Sequence, residues 1–197
     1  MARPRTFDPD AALDAAMRVF WAQGFDATSI DDIVRATGVN RSSLYSLWGD
    51  KRGLFVASLD RYGESVGGLW LRLLNEGPSP LAAIRSYVTL LASAICDDPD
   101  RLGCFAVNSA VEVGSDPAIA PAIRANFDLV EEGYRAALLR ARDLGELPPD
   151  ADIDAHAAHL AVTTQALLLQ ARTGAPRATI LAAARIALST LPFPEVP

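Results

Sequence analysis

Six residues with charged or hydrogen-bonding side chains fall within one short stretch: Thr28, Arg41, Ser42, Tyr45, Ser46 and Lys51. No Ser/His/acid spacing, phosphate-binding glycine loop or dinucleotide glycine pattern accompanies them, so their chemistry is recognition rather than bond breaking. Guanidinium, ammonium and hydroxyl groups bind phosphate oxygens and base edges. Arg41 and Ser42 open a predicted helix and are assigned to base edges, because a recognition helix reads with its first turn. Tyr45 is assigned to a phosphate. So is Lys51, at a helix start where free backbone amides also favour an anion. Thr28 is a third phosphate candidate, and Ser46 shares the outward face of Tyr45.

The elements that must hold these groups are legible from caps and periodicity. Ser29 caps a helix, with Asp32 in the position of its capping-box partner. Ile30, Ile33 and Val34 give that helix an apolar face. Gly38 stands where the chain must turn left-handed, which glycine does without steric cost. Val39 is predicted to plug the gap before a second helix, Arg41 to Trp48, capped by Asn40. Leu44, Leu47 and Trp48 point inward on it, leaving the polar set outside. This is the layout of a helix-turn-helix that enters the DNA major groove. Upstream, Asp8 caps and Pro9 opens a helix with an inward stripe of Leu13, Ala16, Met17 and Phe20. Arg3-Pro4-Arg5 before it reads as an arginine arm or a frayed terminus.

Gly38-Val39, Leu44-Tyr45, the aromatic Trp48, Lys51 and Leu54 resemble the pattern of the TetR family of bacterial one-component regulators. Phe20, Gly24-Phe25 and Thr28-Ser29 fit the same pattern. The resemblance covers roughly the first third of the chain. Asn40 departs from the more common serine cap. Arg52 stands where an acidic residue is usual, and adds a candidate phosphate contact. The resemblance implies an all-α fold: three DNA-binding helices, then a larger helical domain for ligand binding and dimerisation.

The rest of the chain fits that division. Asp50 caps a long predicted helix, Lys51 to Asn75, with Leu54, Phe55, Leu59, Tyr62, Val66, Leu69 and Leu73 at helical spacing. Gly63, Gly67 and Gly68 mark a bend or a close packing contact within it. Further helices are predicted over Leu81–Cys96, Leu102–Val113, the segment capped at Asp116-Pro117 and running to Leu144, Asp152–Thr173 and Pro176–Leu191. The count is about nine helices, with residues 1–52 as the reading head and 53–197 as the body. The last two helices are apolar over more than one stripe. That predicts a four-helix interface between two copies.

Trp70, Tyr87, Leu91, Phe105, Asn108, Phe127 and Val130 are candidates to line an effector pocket, being aromatic, or polar within an apolar helix. Cys104 joins them. Arg101-Leu102-Gly103-Cys104-Phe105-Ala106-Val107-Asn108 resembles a Gly-Cys…Asn segment of some TetR-family regulators, including members that sense electrophiles through that cysteine. Cys104 is therefore a buried small hydrophobe, a ligand contact, or a thiol activated by Arg101 and a helix N-terminus. His156 and His159 share a helix face, without an obvious third ligand for a metal.

Half of the 197 residues are apolar and the net charge is −6. Residues 1–52 hold seven basic and seven acidic side chains, against eleven and seventeen in 53–197, so the acidic excess lies outside the head. Two cysteines form neither a disulfide framework nor a zinc pattern. No signal-peptide run or long apolar span is visible, which points to the cytoplasm. The sequence thus reads as a homodimeric regulator, not an enzyme, that binds double-stranded operator DNA. Its expected action is repression, released by an unidentified small molecule, with no cofactor, metal or membrane partner. The alternatives are a helical small-molecule-binding protein without DNA function, a Cys104-dependent enzyme, and a Cys104-sensing variant of the same regulator.

Overall fold

The computed structural model describes residues 7–191, whose regular structure is entirely helical. The arginines at 3 and 5 lie outside the described residues. The head is built from α1 (Pro9–Gln23), α2 (Ile30–Thr37) and α3 (Arg41–Trp48). α4 (Lys51–Tyr62) continues through a π turn at Gly63–Gly67 into α5 (Gly68–Arg72) and a final 3-10 turn, Leu73–Asn75. The body adds α6 (Pro80–Asp97), α7 (Phe105–Val113), α8 (Ala120–Asp143), α9 (Ile153–Arg172) and α10 (Arg177–Leu188). With α4 and α5 counted as one interrupted rod, nine rods are described, as the sequence led us to expect.

The caps explain where the head helices start. The Asp8 carboxylate accepts from the Asp10 amide, with Pro9 at the first helical position. Ser29 and Asp32 form a reciprocal capping box. Gly38 ends α2 at φ 68°, and Asn40 then caps α3 through the Ser43 amide. Asp50 does the same for α4 through Gly53. Ala12, rather than Leu13, completes the fully buried stripe of α1, and Leu13 is half-buried.

Three boundaries differ from expectation. α7 starts at Phe105, not Leu102, because Arg101 (φ 48°) and Gly103 (φ 65°) are left-handed and cannot continue a right-handed helix. α8 starts at Ala120 and not directly after Asp116-Pro117. Asp116 instead closes a turn, its carboxylate accepting from Ala118 and its carbonyl from Ile119 and Ala120. The long helix after the head is not uniform. A π turn inserts one extra residue per turn and rotates everything beyond it. Leu69, expected on the inner stripe, is consequently 58% exposed, while Leu74 takes the buried position expected of Leu73.

Two apolar cores result. One unites Phe20, Ile33 and Leu44 of the head with Leu54 and Phe55 of α4 and with Phe105, Ile119 and Ile123 farther along the body. The other joins α6, α8, α9 and α10 through residues such as Ile84, Tyr134, Leu160 and Ile180. Each fully buried large side chain contributes about 1.5–3 kcal/mol. The head is therefore welded to α7 and the start of α8, and not only strung on α4.

Candidate functional site

α3 presents Arg41, Ser42 and Ser46 to solvent, with Tyr45 partly exposed beside them, while Leu44 is buried beneath. The Ser42 hydroxyl donates to the Asn40 side-chain oxygen at 2.7 Å. Arg41 is tied to Asp31 of α2 at 2.8 Å, both side chains being largely exposed. An exposed pair of this kind is worth only ~0.2–1 kcal/mol, so a stronger acceptor displaces it readily. Arg35 is similarly held by Asp32 at 3.0 Å. Asp32 is kept below the usual carboxylate range, chiefly by the Ser29 hydroxyl.

Lys51 opens α4, with its ammonium 4.4 Å from the centre of the Phe25 ring. The stacking holds the charge near the end of α3 without neutralising it. Thr28 needs a correction. It is 1% exposed, and its hydroxyl donates to the Gly24 carbonyl at 2.6 Å, so it locks the turn after α1 rather than reaching for a phosphate. Arg52 also has another partner. Its guanidinium binds Asp116 of the α7–α8 turn at 2.8 Å.

A second tie runs from the body to the same end of the head. The Glu112 carboxylate accepts from the amides of Phe25 at 2.9 Å and Asp26 at 2.8 Å. Gly24 is required here. Its φ of 86° is left-handed, and a Cβ would meet Glu112 Oε2 at 2.6 Å. No sequence signal connects Glu112 to this turn, 86 or 87 residues away.

Between head and body lies a largely apolar cavity of about 200 Å³. Of the residues expected on a pocket, Trp70, Tyr87, Leu91, Cys104, Phe127 and Val130 border it. Phe105 and Asn108 do not. Phe105 packs edge-on against Phe55 (5.3 Å) and Tyr62 (5.8 Å) in the head core. Asn108 donates to the Leu102 carbonyl at 2.8 Å, and both residues border a separate cleft beside Phe20 and Glu112. A step of one residue turns a helical side chain by about 100°, so proximity to Cys104 in sequence does not carry them to the cavity. Sequence reasoning missed Trp21, Tyr62, Asn126 and Gln165 on its wall. Asn126 also donates to the Leu59 carbonyl at 3.1 Å, just before the π turn.

Cys104 does not have the surroundings of an activated thiol. Burial pushes its thiol above its ordinary range, outweighing the opposing hydrogen bond with the Tyr62 hydroxyl. Arg101 makes no contribution to that shift. His156 and His159 lie one turn apart on α9. Among the described residues no group of three or more His, Cys, Asp or Glu side chains is placed to hold a metal ion. No described helix is long and apolar enough to cross a membrane.

The outer faces of the last two helices carry exposed apolar side chains among charged and polar ones such as Asp154, His159 and Arg185. Val162 on α9 is 64% exposed and Ile186 on α10 is 56% exposed. Ala155, Ala166 and Leu169 extend the first stripe, and Ala182 and Ala183 flank the second. Val162, Leu169 and Ile186 thus leave large apolar side chains exposed on two helices that pack against each other.

Residues 12–58 match the family described as "Bacterial regulatory proteins, tetR family", and residues 80–186 match "Tetracyclin repressor-like, C-terminal domain". The chain is 34% identical over 175 residues to the HTH-type transcriptional repressor ComR of Escherichia coli K12, covering 88% of this chain and 83% of that one. It is 33% identical over 162 residues to the uncharacterized HTH-type transcriptional regulator YezE of Bacillus subtilis 168, covering 81% and 84%. Its fold matches a cysteine mutant of the regulator CifR complexed with 26-base-pair double-strand operator DNA. That match has a TM-score of 0.85 and 29% identity, covering 96% of this chain and all of that one.

Proposed function

This chain belongs to the TetR family of DNA-binding transcriptional regulators, non-enzymatic proteins, and from that premise we propose that it is a homodimeric repressor released from its operator by a small molecule. The observation that carries the reading is the exposed face of α3. Its first turn offers Arg41 and Ser42 to base edges, while Tyr45, Ser46 and Lys51 flank them as backbone contacts. The operator-bound CifR structure supports the DNA partner, and the name of ComR supports repression. The protein acts where the DNA is, in the cytoplasm. The division into a reading head, residues 1–52, and an effector and dimer body, residues 53–197, follows the same logic.

In this proposal α9 and α10 of two subunits cover each other's apolar faces. The two-fold axis then sets the α3 helices about one or more DNA turns apart, in steps of roughly 34 Å. The cavity holds the effector. Two routes lead from it to α3: the α5–α4 rod through the π turn, and α7, whose start borders the cavity and whose end holds the α1–α2 turn through Glu112. A ligand releases DNA only by binding the separated-head state more tightly, and ~1–3 kcal/mol of such coupling is ordinary.

Mobility shift with the region upstream of the protein's own gene tests the reading, with a shuffled duplex of equal length as control. Selective, saturable binding is expected, and equal affinity for both duplexes would remove the proposal. The route through the α5–α4 rod, with its glycines as a pivot between the two halves, is tested by substituting Gly67→Ala and Gly68→Ala together. Added methyl groups there meet nothing closer than 3.6 Å, so the variant folds and only backbone freedom is lost. Operator binding is expected to persist while release weakens. Unchanged release assigns the signal to α7 instead.

A further inference from the structure

We infer that the cavity takes a small, neutral, mostly apolar molecule carrying a hydrogen-bond acceptor, and that Trp21, a residue of the reading head, recognises that acceptor. This rests on the reading of the cavity as an effector site. At about 200 Å³ it is smaller than the roughly 300–1,000 Å³ of sites for drug-sized ligands, so its occupant has one or two rings. Its walls are aromatic: Trp21, Tyr62, Trp70, Tyr87 and Phe127.

Neutrality follows from what the walls lack. Of the charged side chains that border the cavity, Asp98 is engaged by the amides of Asp100 and Leu102. Arg172 is exposed and donates to the Leu102 carbonyl. Arg101 is exposed on the left-handed turn of the same loop. Burial holds the phenols of Tyr62 and Tyr87 and the thiol of Cys104 protonated. The two arginines are exposed and the aspartate is already engaged, so an ionic ligand lodged among the aromatic walls would carry a large desolvation cost.

The acceptor follows from one atom. The indole Nε1–H of Trp21 is buried and has no hydrogen-bond partner among the described residues. Buried donors are nearly always paired, and an indole N–H can only donate, so its complement is an acceptor. Trp21 borders both this cavity and the cleft beside Glu112, and its N–H is shut off from open space in this arrangement, so engaging it requires the ring to turn toward the cavity. That ring stands edge-on to Tyr62 at 5.0 Å and belongs to α1. Recognition of the ligand therefore moves a residue of the head.

Isothermal titration of the full chain with three one-ring probes tests this: acetophenone (neutral, with an acceptor), cumene (its near-isostere without one) and benzoate (an anion). Acetophenone is expected to bind about tenfold more tightly than cumene, with benzoate weakest. Trp21→Phe should abolish the difference between the two probes, and its thermal unfolding midpoint reports an intact fold. In the parent protein the Trp21 indole N–H resonance should move with acetophenone and not with cumene, a readout that needs no variant. Equal binding of acetophenone and cumene, preferred binding of benzoate, or an acetophenone advantage that survives in Trp21→Phe would each overturn the inference. Operator release is read separately by mobility shift. Trp21-dependent binding without release keeps the ligand class and removes the effector reading. Release that ignores Trp21 does the reverse.

Discussion

Replacing Arg41 by alanine isolates base reading from every other contribution to DNA affinity. The side chain is half exposed and pairs with Asp31 at 2.8 Å, so its removal should leave the fold nearly unchanged. A bidentate contact from arginine to a base edge is worth ~1–3 kcal/mol of discrimination. Two subunits make that roughly 2–6 kcal/mol. Each Arg41 must first leave Asp31, which returns ~0.2–1 kcal/mol per subunit to the variant. At mid-range the net loss on the operator is then about 2.8 kcal/mol, or roughly a hundred-fold in affinity. A shuffled duplex, bound only through its phosphates, should lose far less. Fluorescence anisotropy on both duplexes at one fixed salt concentration measures the difference. Asp31→Asn is the complementary control. It frees Arg41, and operator binding should tighten a few-fold. Equal loss on both duplexes in Arg41→Ala would make Arg41 a phosphate contact and refute the assignment.

Three further outcomes are expected. Lys51→Ala should weaken operator and shuffled DNA alike and lower the salt slope by about one per subunit; an unchanged slope would mean that the ammonium stays on the Phe25 ring in the complex. Val162→Arg combined with Ile186→Arg should give a monomer by light scattering and lose operator binding, whereas a parent protein that is itself monomeric at micromolar concentration would remove the proposed interface. Burial raises the Cys104 thiol above its ordinary range, so its alkylation by iodoacetamide should be slow at pH 7 and still climbing in the alkaline range. A rate that plateaus below pH 7 would restore the sensing variant.

The parts legible in the sequence are those decided by neighbouring residues. Ser29 with Asp32, Gly38, Asn40 and Asp50 each act within four positions of themselves, so side-chain chemistry announces the head helices directly. The family pattern over the same residues agrees with them. What escaped is decided by partners far away in the chain. Arg52 finds Asp116 across 64 positions, and Glu112 reaches the amides of Phe25 and Asp26 across 87 and 86; Thr28 is the exception, its acceptor Gly24 lying only four positions back. Trp21 lies at the edge of the buried stripe of α1, where periodicity does not single it out; only the body packed against that side makes it a cavity wall. Leu69 and Leu73 were misplaced because a single π turn breaks the period on which the stripe was counted.

Hydroxyl-radical footprinting of the complex with the upstream region of the protein's own gene tests the central claim most directly. Two subunits joined through α9 and α10, each with α3 in a major groove, predict two protected patches. They lie on one side of the duplex, related by a two-fold axis and spaced by one or more helical turns of roughly 34 Å. Arg41→Ala should erase both patches together. A single patch, or uniform protection along the duplex that the variant leaves unchanged, would contradict the account.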